Sequence, residues 1–312
     1  MKLSAVIISW NQLAFLKTLV DQLLNQDYPS DCYEIIVVDD GSTDGSREWL
    51  KQSNDHRVIP VLGDSDSGRA ASRNRGIRIA QGDIVVMVDG DHTIDRNFLS
   101  VHARRHAAER CIIVGKSDFA EQPEYTAINH YLNNGGAAKL PENSRLPGRY
   151  FLTRNCSVPH DLLLQIGLFD ERFSTWGGED LDLGIRLQAT GVPIYGEPQA
   201  LAIHHHFRDL CSLMNNIYRY GHDGIPLLLE KHPQLFAELN LDRVFTLQGY
   251  GSRHDRITQW IMRSLMTSPI YRLCLWIGVC LRRHKLPRLL FDYLHLRQYS
   301  RGFMDYLNER GV

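Results

Sequence analysis

The sequence predicts an α/β protein, in which a parallel sheet carries helices on both faces and a helical segment follows. Short β-branched apolar runs alternate with helix-like segments from residue 3 to residue 91. The connections between them are short, which favours right-handed crossovers between parallel strands. After about residue 208 the pattern is helical throughout.

Four buried strands are predicted first, in the runs "LSAVIIS", "YEIIVVDD", "RVIPVLG" and "DIVVMVDGD". Helices are predicted between them in "QLAFLKTLVDQLLNQ", "STDGSREWLKQ" and "GRAASRNRGIRIAQG". Ligands of such sheets bind beyond the carboxyl ends of the strands. The second and fourth strands end in acids, so a site is expected around Asp39, Asp40, Asp89 and Asp91.

The pattern from residue 95 to residue 207 is less regular. A helix is predicted in "RNFLSVHARRHAAE", and strands in "CIIVGKSD", "YFLTRNCSVP" and "PIYGEPQALAIHHHF". The stretch 133–149 is rich in Gly, Pro and Asn and is long enough to predict a functional lid or a partly mobile loop. Beyond residue 208, two or three amphipathic helices are expected, interrupted at Pro269 and Pro287.

Composition excludes several classes of protein. The 312 residues carry a formal net charge of -1, which gives no general attraction to nucleic acid. The six cysteines form no CxxC pair, so neither a zinc site nor a disulfide scaffold is predicted. The opening "MKLSAVIISWNQ" is too short and too soon polar for a signal peptide, and no stretch approaches the ~18 apolar residues of a spanning helix. A cytoplasmic protein is expected.

Charge is distributed unevenly along the chain. Residues 253–312 contain 11 Arg and Lys against 4 Asp and Glu, a net +7, whereas residues 1–252 sum to -8. Basic residues interleaved with Trp and Tyr fit helices that lie on an anionic membrane surface. They also fit helices that pack on the body, form a dimer contact or face solvent. Residues 253–312 are therefore a candidate for peripheral contact with the inner face of a membrane.

Two strand ends carry paired acids. Asp89 and Asp91 flank a glycine, a spacing that suits a Mg2+ or Mn2+ ion holding substrate phosphates, although acids and glycine are also common in turns. Asp39 and Asp40 end the second strand. A carboxylate there can accept a hydrogen bond from a nucleobase N–H or a ribose hydroxyl, or it can shape a turn.

Basic residues that could complete the site lie in two segments. Arg69 and Arg73 share one face near the start of a helix, where guanidinium groups suit a diphosphate, whereas Arg75 is expected to face solvent. The segment "AIHHHF" ends a strand in three histidines, and alternation places His204 and His206 on one face. A neutral imidazole from this pair is a candidate metal ligand.

The stretch "STWGGEDLDLGIRL" begins with an aromatic residue and two glycines and continues into a helix. Glu179 and Asp180 offer a general base for an acceptor hydroxyl. Acids at a helix start are also favoured by the helix dipole, which is enough to explain Asp182. Trp176 offers a flat face to a sugar, or packs in the core, and the glycines that follow it permit close approach of a ligand.

Taken together, these motifs resemble those of family 2 glycosyltransferases. They are "SAVIISWNQ", "VVDDGSTDGS", "GRAASRNRGI", "DIVVMVDGDHTID", "GLFDERFSTWGGEDLDLGIRL" and "ALAIHHHF", in that order. The "WGGEDLDL" stretch also resembles the C-terminal motif of the β-1,4-galactosyltransferase and chondroitin-polymerase type. The resemblance implies a GT-A fold over residues 1–207, with a Rossmann-like donor half over about 1–95 and an acceptor half over about 96–207. The helical extension, 208–312, lies outside it.

The resemblance implies roles on the donor side. Asp91 would be the main metal ligand, completed by His204, with His206 as a rival. The family's first strand usually ends near Pro or Thr, whereas this one ends Ser9-Trp10-Asn11, so Trp10 is a candidate for stacking on the base. The residues that would contact the donor and its nucleotide are Ser9, Trp10, Asn11, Asp39, Asp40, Arg69, Arg73 and Asp89.

It also implies roles on the acceptor side. Asp180 would be the general base, and Glu179 beside it would orient the acceptor. Trp176, Gly177 and Gly178 would contact the sugar.

The expected activity is that of a metal-dependent inverting glycosyltransferase. With Mn2+ or Mg2+ it would move a sugar from a UDP-sugar to a hydroxyl of a glycan or lipid-linked acceptor, in polysaccharide or envelope biosynthesis. A nucleotidyltransferase is one alternative, but it would need a Gly-rich phosphate loop with Lys, which "SWNQLAFLK" does not supply. A non-catalytic nucleotide-sugar scaffold is the other, and the intact acidic motifs argue against it.

Overall fold

A computed structural model describes residues 1–64, 67–135, 144–247, 249–250 and 256–311. These residues form two compact units. The first comprises Met1–Ala120, Leu132–Ser174 and Glu179–His206, and the second comprises Glu121–Tyr131, Thr175–Gly178 and Phe207–Val312. Part of the predicted lid, residues 136–143, lies outside the described residues, so the lid stays a prediction.

An eight-stranded sheet organises the first unit, in the order β3-β2-β1-β4-β7-β6-β8-β5. The first four strands in sequence are parallel neighbours, as predicted, whereas β7 runs antiparallel to both β4 and β6. The strands are β1 (Leu3–Ser9), β2 (Tyr33–Asp39), β3 (Val58–Leu62), β4 (Ile84–Asp89), β5 (His92–Ile94), β6 (Ile112–Phe119), β7 (Asn155–Pro159) and β8 (Ile194–His204).

Helices cover the sheet on both faces. Side chains alternate along a strand, so β1 buries Val6 on one face and Ile7 on the other. This two-sided burial explains why the first strands are continuously apolar. The predicted α/β class is confirmed. The helices with residues in the first unit are α1 (Leu13–Leu24), α2 (Ser46–Lys51), α3 (Arg69–Ile79), α4 (Phe98–Ala108), the end of α5 (Thr126–Asn133), α6 (His160–Gln165) and α7 (Glu179–Ala189).

Strand register brings the polar strand ends to one edge of the sheet. In the parallel ladders, Ser9 of β1 pairs with Asp39 of β2, and Ile8 pairs with Asp89 of β4. Immediately after Asp91 the chain turns back as β5, which runs antiparallel to β8 with His92 opposite His204. Two segments far apart in sequence therefore place their polar residues side by side.

The second unit is helical in its described residues. Pro269 lies in the first turn of α12 and Pro287 directly precedes α13, positions where the missing N–H of proline costs no helical hydrogen bond. The predicted breaks at these prolines are confirmed. No helix among the described residues is both long and apolar enough to cross a bilayer. The main helices are α8 (Leu210–Arg219), α9 (Ile225–Lys231), α10 (Leu235–Glu238), α11 (Arg256–Leu265), α12 (Ser268–Cys280) and α13 (Arg288–Arg310).

Candidate active site

A cluster of one carboxylate and two imidazoles lies at the carboxyl edge of the sheet. Asp91, His92 and His204 are all buried, and one ligand atom from each lies within 4.8 Å of the others. Oδ1 of Asp91 is 3.0 Å from Nδ1 of His92, and Oδ2 of Asp91 is 3.4 Å from Nε2 of His204. Gln12 donates a hydrogen bond of 3.1 Å to Oδ2 of Asp91.

Several polar atoms of this cluster make no hydrogen bond of normal geometry. Within the described part of the chain, these buried atoms are Oδ1 of Asp91 and Nδ1 of His92, which lie 3.0 Å from each other, together with Nε2 of His92 and Nδ1 of His204. Buried polar atoms are normally satisfied, so such a concentration indicates a ligand-binding site. Carboxylate oxygen and neutral imidazole nitrogen are donors that Mn2+ accepts. The residues therefore fit a divalent metal.

The other two histidines of "HHH" differ from His204. His205 lies within 2.8 Å of the Thr93 hydroxyl and stacks on Phe15, which agrees with the predicted alternation. The ring of His206 lies 6.3 Å from that of His204, edge to face. His206 is not a member of the ligand cluster found among the described residues.

Arg73 connects the two acidic motifs. Its side chain is buried, donates a 2.9 Å hydrogen bond from Nη2 to Asp89, and places Nη1 3.7 Å from Oε1 of Glu179. Burial alone would lower the pKa of Arg73, but the charges of Asp89, Asp180 and Glu179 raise it above its ordinary value. The guanidinium stays charged between the end of β4 and the start of α7.

Glu179 and Asp180 differ in environment although they are adjacent. Glu179 is buried, and no described residue donates a hydrogen bond to its Oε2. Burial and the neighbouring charge of Asp180 raise the pKa of Glu179 to about 7, against the opposing effect of Arg73. Asp180 is half-buried and accepts hydrogen bonds from the hydroxyl (2.6 Å) and the amide (3.3 Å) of Thr153. Asp180 therefore remains partly accessible while Thr153 fixes its orientation.

Asp182 has the structural role that the sequence predicted. It lies in the first turn of α7, is fully buried and forms an i,i+4 ion pair of 2.8 Å with Arg186. A carboxylate at a helix start with a cation one turn later stabilises the helix that carries Glu179 and Asp180.

The end of β2 provides further carboxylate acceptors at the carboxyl edge of the sheet. Oδ2 of Asp39 accepts from the amides of Gly41 and Ser42, while its buried Oδ1 has no partner among the described residues. Asp40 accepts from Ser67 and pairs with Arg75. Burial works to raise the pKa of Asp40, but hydrogen bonds from Ser67, Ser72 and Arg75 outweigh it and lower the pKa.

The loop after β1 is tied to the loop after β2. Asn11 has a positive φ of 52°. Its backbone N–H donates to the Ser42 hydroxyl, and its Oδ1 accepts from the backbone N–H of Thr43. Trp10 is exposed, and the Ser9 hydroxyl is buried without a described partner. Arg69 starts α3 and forms no ion pair with a described residue, which leaves its guanidinium available to a ligand.

Three predicted sugar-contacting residues, Trp176, Gly177 and Gly178, belong to the second unit. Both glycines have positive φ, 94° and 106°, and a Cβ on Gly177 would lie 3.1 Å from the Tyr220 ring. The positive φ is enough to explain why both residues are glycine, because residues with a side chain rarely adopt this backbone conformation. Their contact with a sugar stays a prediction.

A family model described as glycosyl transferase family 2 matches residues 4–166, just over half of the chain. The chain belongs to this family. The order of its motifs predicted this family.

Named relatives agree with this family. Validoxylamine A glucosyltransferase of Streptomyces hygroscopicus subsp. jinggangensis is 28% identical over 274 residues, which cover 76% of this chain and 62% of the relative. Chondroitin synthase of Escherichia coli is 26% identical over 236 residues, which cover 65% of this chain and 34% of the relative. The chain thus spans less than two thirds of the length of either relative.

Solved structures share the fold. The mannosyltransferase PcManGT of Pyrobaculum calidifontis, in complex with GDP-Man and Mn2+, gives a TM-score of 0.63 at 18% identity, covering 99% of this chain and 88% of its own. S. aureus TarS 1–349 in complex with UDP gives a TM-score of 0.55 at 18% identity, covering 100% and 92%. The predicted GT-A fold is confirmed.

Three residues of this glycosyltransferase were missed or misassigned by sequence reasoning. His92 joins the ligand cluster, and its position directly after Asp91 was the available signal. Arg75 was expected to face solvent, but it is half-buried and pairs with Asp40, which also accepts from Ser67. Arg154 precedes β7 opposite Asp89, with its guanidinium over Phe119 and its buried Nε without a described partner.

Proposed function

We propose that this glycosyltransferase moves a sugar from a UDP-sugar to an acceptor hydroxyl, with a divalent metal and with inversion at the anomeric carbon. The observation that carries the proposal is Arg73, which contacts Asp89 of the D-x-D motif and faces Glu179 of the Glu-Asp pair. Arg73 thus lies beside both the motif proposed to hold the donor phosphates and the motif proposed to supply the base, which supports a direct displacement.

Positive charge would bind the diphosphate of the donor. Asp91, His92 and His204 would hold the metal, which when bound neutralises charge on the donor diphosphate as a Lewis acid. Arg69, which is unpaired among the described residues, and Arg73 would add fixed positive charge near the leaving group. The unpartnered Oδ1 of Asp39 is suited to accept from the uracil or the ribose.

Asp180 would act as the general base. Its partial exposure allows contact with an acceptor, and the Thr153 hydroxyl orients its carboxylate. It would accept the proton of the acceptor hydroxyl as the oxygen attacks the anomeric carbon and UDP departs. Glu179 would orient the acceptor through Oε2. A single displacement converts an α-linked donor into a β-linked product.

The nucleotide and acceptor are proposed by analogy with known proteins. The TarS structure contains UDP, whereas PcManGT contains GDP-Man, so a guanine donor is the rival outcome. Chondroitin synthase and validoxylamine A glucosyltransferase, by their names, act on different acceptors. A glycan or lipid-linked glycan is proposed here. A lipid-linked acceptor would be met at the inner face of a membrane, through residues 253–312.

Replacement of Asp180 tests the proposal. The Asp180→Asn variant keeps the shape and can still accept from the Thr153 hydroxyl through Oδ1, but it accepts a proton poorly, so transfer should fall by about 10²-fold or more. Calorimetric binding of UDP with Mn2+ should stay within about twofold of wild type, because the metal cluster is untouched. Asp161→Asn, an exposed carboxylate paired with Arg110, is the matched control. Unchanged turnover in Asp180→Asn would remove Asp180 from the role of base.

Product analysis separates the alternatives. UDP released from a UDP-sugar in the presence of Mn2+ supports transfer or slow hydrolysis, whereas a nucleotidyltransferase would form or consume pyrophosphate. A non-catalytic scaffold would bind the donor and release nothing. A panel of UDP-sugars and GDP-mannose in the same assay identifies the donor.

A further inference from the structure

Helix α11 of the second unit has its polar side inward. Gln259 is 6% exposed and donates to the carbonyls of Asp242 and Phe245, at 3.0 and 3.3 Å. Thr246 donates to Gln259, and Arg263 donates to the Val244 carbonyl at 2.7 Å. These hydrogen bonds fix which side of the helix faces the protein.

The opposite side of α11 is apolar and exposed. Ile257 and Trp260 are each 69% exposed, and Ile261 and Leu265 are also exposed. Their spacing places all four on one stripe of the helix. Amphipathic helices of globular proteins normally turn this stripe inward. Here it is outward, which marks an interaction surface.

Helix α12 continues the pattern after a two-residue connection. Gly278 is buried, and a Cβ there would lie 2.5 Å from Leu210, so this side packs on the unit. Leu273 and Trp276, on the other side, are exposed. Tyr293 and Arg297 of α13 donate to the carbonyls of Leu265 and Met266, which holds the connection in place.

The charge of this region identifies the partner. Residues 256–291 contain 7 Arg and Lys and neither Asp nor Glu. Exposed Arg272 and Lys285 pair with no acid in the described part of the chain. A second copy presenting the same cations would be repelled, whereas an anionic lipid surface would be attracted. Trp at the boundary between apolar and charged groups is typical of membrane interfaces.

We infer that the outward stripes of α11 and α12 are a membrane-docking surface for anionic phospholipid headgroups. The apolar side chains enter the headgroup–acyl boundary, and Arg272 and Lys285 contact the phosphates. Arg263 faces the protein, while Arg283 and Arg288 pair with Glu124 and Asp292. This inference deepens the membrane contact that is part of the proposed function. It does not depend on sugar transfer, because the docking surface contains no residue of the candidate active site.

Vesicle flotation of the full-length protein tests the surface. Wild type should float with vesicles of equal phosphatidylcholine and phosphatidylglycerol, far less with phosphatidylcholine alone, and less in high salt. The Trp260→Ser/Trp276→Ser variant should lose about tenfold or more of its partitioning, because each buried Trp contributes a large apolar area. Arg272→Gln/Lys285→Gln should reduce the preference for phosphatidylglycerol by about tenfold.

Two controls keep the test decisive. Leu164→Ser removes an exposed leucine from α6 in the first unit and should float like wild type. Both tryptophans are exposed, so their variant should keep the circular dichroism and unfolding midpoint of wild type. Absence of wild-type flotation with phosphatidylglycerol, or equal flotation of the tryptophan variant, overturns the inference. A wild-type dimer that the tryptophan variant abolishes would instead assign the surface to a second copy.

Discussion

At the scale of single residues, Arg73 and Glu179 determine the electrostatics of the site. Arg73 is the buried cation among the acids of two motifs, and Glu179 is a buried acid with an unpartnered oxygen among the described residues. The sequence predicted both as site residues from their motifs. It did not predict that they face each other, because that contact depends on the packing of α3 against α7.

Removal of Arg73 should destabilise the protein. The Arg73→Met variant leaves the buried Glu179 and the partly buried Asp89 without this cation, which should lower the free energy of unfolding by about 3–5 kcal/mol. Urea denaturation measures this directly. Arg78→Met removes an exposed pair with Glu171, 3.1 Å apart, and should cost less than about 1 kcal/mol. Equal effects of the two variants would contradict a buried ionic link at Arg73.

Glu179 should make stability fall as pH rises. Its pKa is raised from 4.5 to about 7, so between these values the folded chain holds a proton that the unfolded chain has lost. Stability from this group is present at low pH and is lost as pH rises through about 7. Glu179→Gln removes the titration, so the variant should gain about 2–3 kcal/mol over wild type between about pH 5 and about pH 8.

Urea unfolding of both proteins at the two pH values measures that difference. Glu171→Gln, which alters an exposed carboxylate, controls for general changes in charge. A constant difference between wild type and Glu179→Gln at both pH values would show that Glu179 ionises as it does in the unfolded chain.

At the scale of secondary-structure elements, a directed chain of hydrogen bonds joins α4 to the sheet. Asn155 of β7 donates both amide hydrogens to the carbonyls of Lys116 and Ala200, so its Oδ1 must accept from Nε2 of His102, 3.3 Å away. Ser157 therefore donates to Nδ1 of His102 and accepts from Nε2 of His106, each at 2.8 Å. The orientation of the Asn155 amide therefore determines the positions of the protons on His102, Ser157 and His106.

Gly115 makes room for this arrangement. A Cβ at residue 115 would lie 2.4 Å from Oδ1 of Asn155, at the point where the β6–β8 ladder shifts register. The amide of Asn155 thus replaces backbone pairing between the two strands, which positions the end of β8 that carries His204.

Loss of the Ser157 hydroxyl should destabilise this layer. The Ser157→Ala variant leaves Nδ1 of His102 and Nε2 of His106 without their hydrogen-bond partner, which should cost about 2–4 kcal/mol in free energy of unfolding. Ser100 lies on α4, the helix that carries both histidines, and its exposed hydroxyl donates to Asp27 and to the Asn97 carbonyl. The Ser100→Ala variant should cost well under half as much. Chemical denaturation of the two variants side by side measures the difference. Equal losses would mean that the chain of bonds does not act as a unit.

At the scale of the whole molecule, the same imidazoles control stability in acid. Burial lowers the pKa of His102 to about 3 and that of His106 to about 4, so both stay neutral when folded and gain protons on unfolding below about pH 6.5. Their contribution is present above the unfolded pKa and is lost as pH falls. This slope is opposite in sign to that of Glu179.

His106→Gln should make acid unfolding less steep. Gln can donate to Ser157 as Nε2 of His106 does, but it takes up no proton. Between about pH 6 and about pH 4.5, stability of the variant should fall by about 1.4 kcal/mol less per pH unit than that of wild type. Denaturant midpoints across this range provide the measurement, and His56→Gln, on an exposed turn, should keep the wild-type slope. A wild-type slope in His106→Gln would rule out its neutral burial.

Much of the first unit was predictable because its signals are local. Continuous apolar runs specify buried strands, and acids after those runs fall at one sheet edge whatever the details of packing. The alternation of side chains along a strand was enough to predict that His205 and His204 lie on opposite faces. The pairing of β5 with β8 was not predictable, because the three residues His92–Ile94 carry no strand signal of their own. His92 was therefore missed.

The sequence by itself determined the α/β class, the order of the strands that carry acids, the helical second unit and the glycosyltransferase family. Residue type and spacing along the chain are sufficient for those conclusions. Only the tertiary structure decided which distant groups meet, such as Arg73 with Glu179, His92 with His204, and the inward Gln259 that turns Trp260 outward. These contacts depend on strand register and helix rotation, which arise from packing of the whole chain rather than from any local pattern.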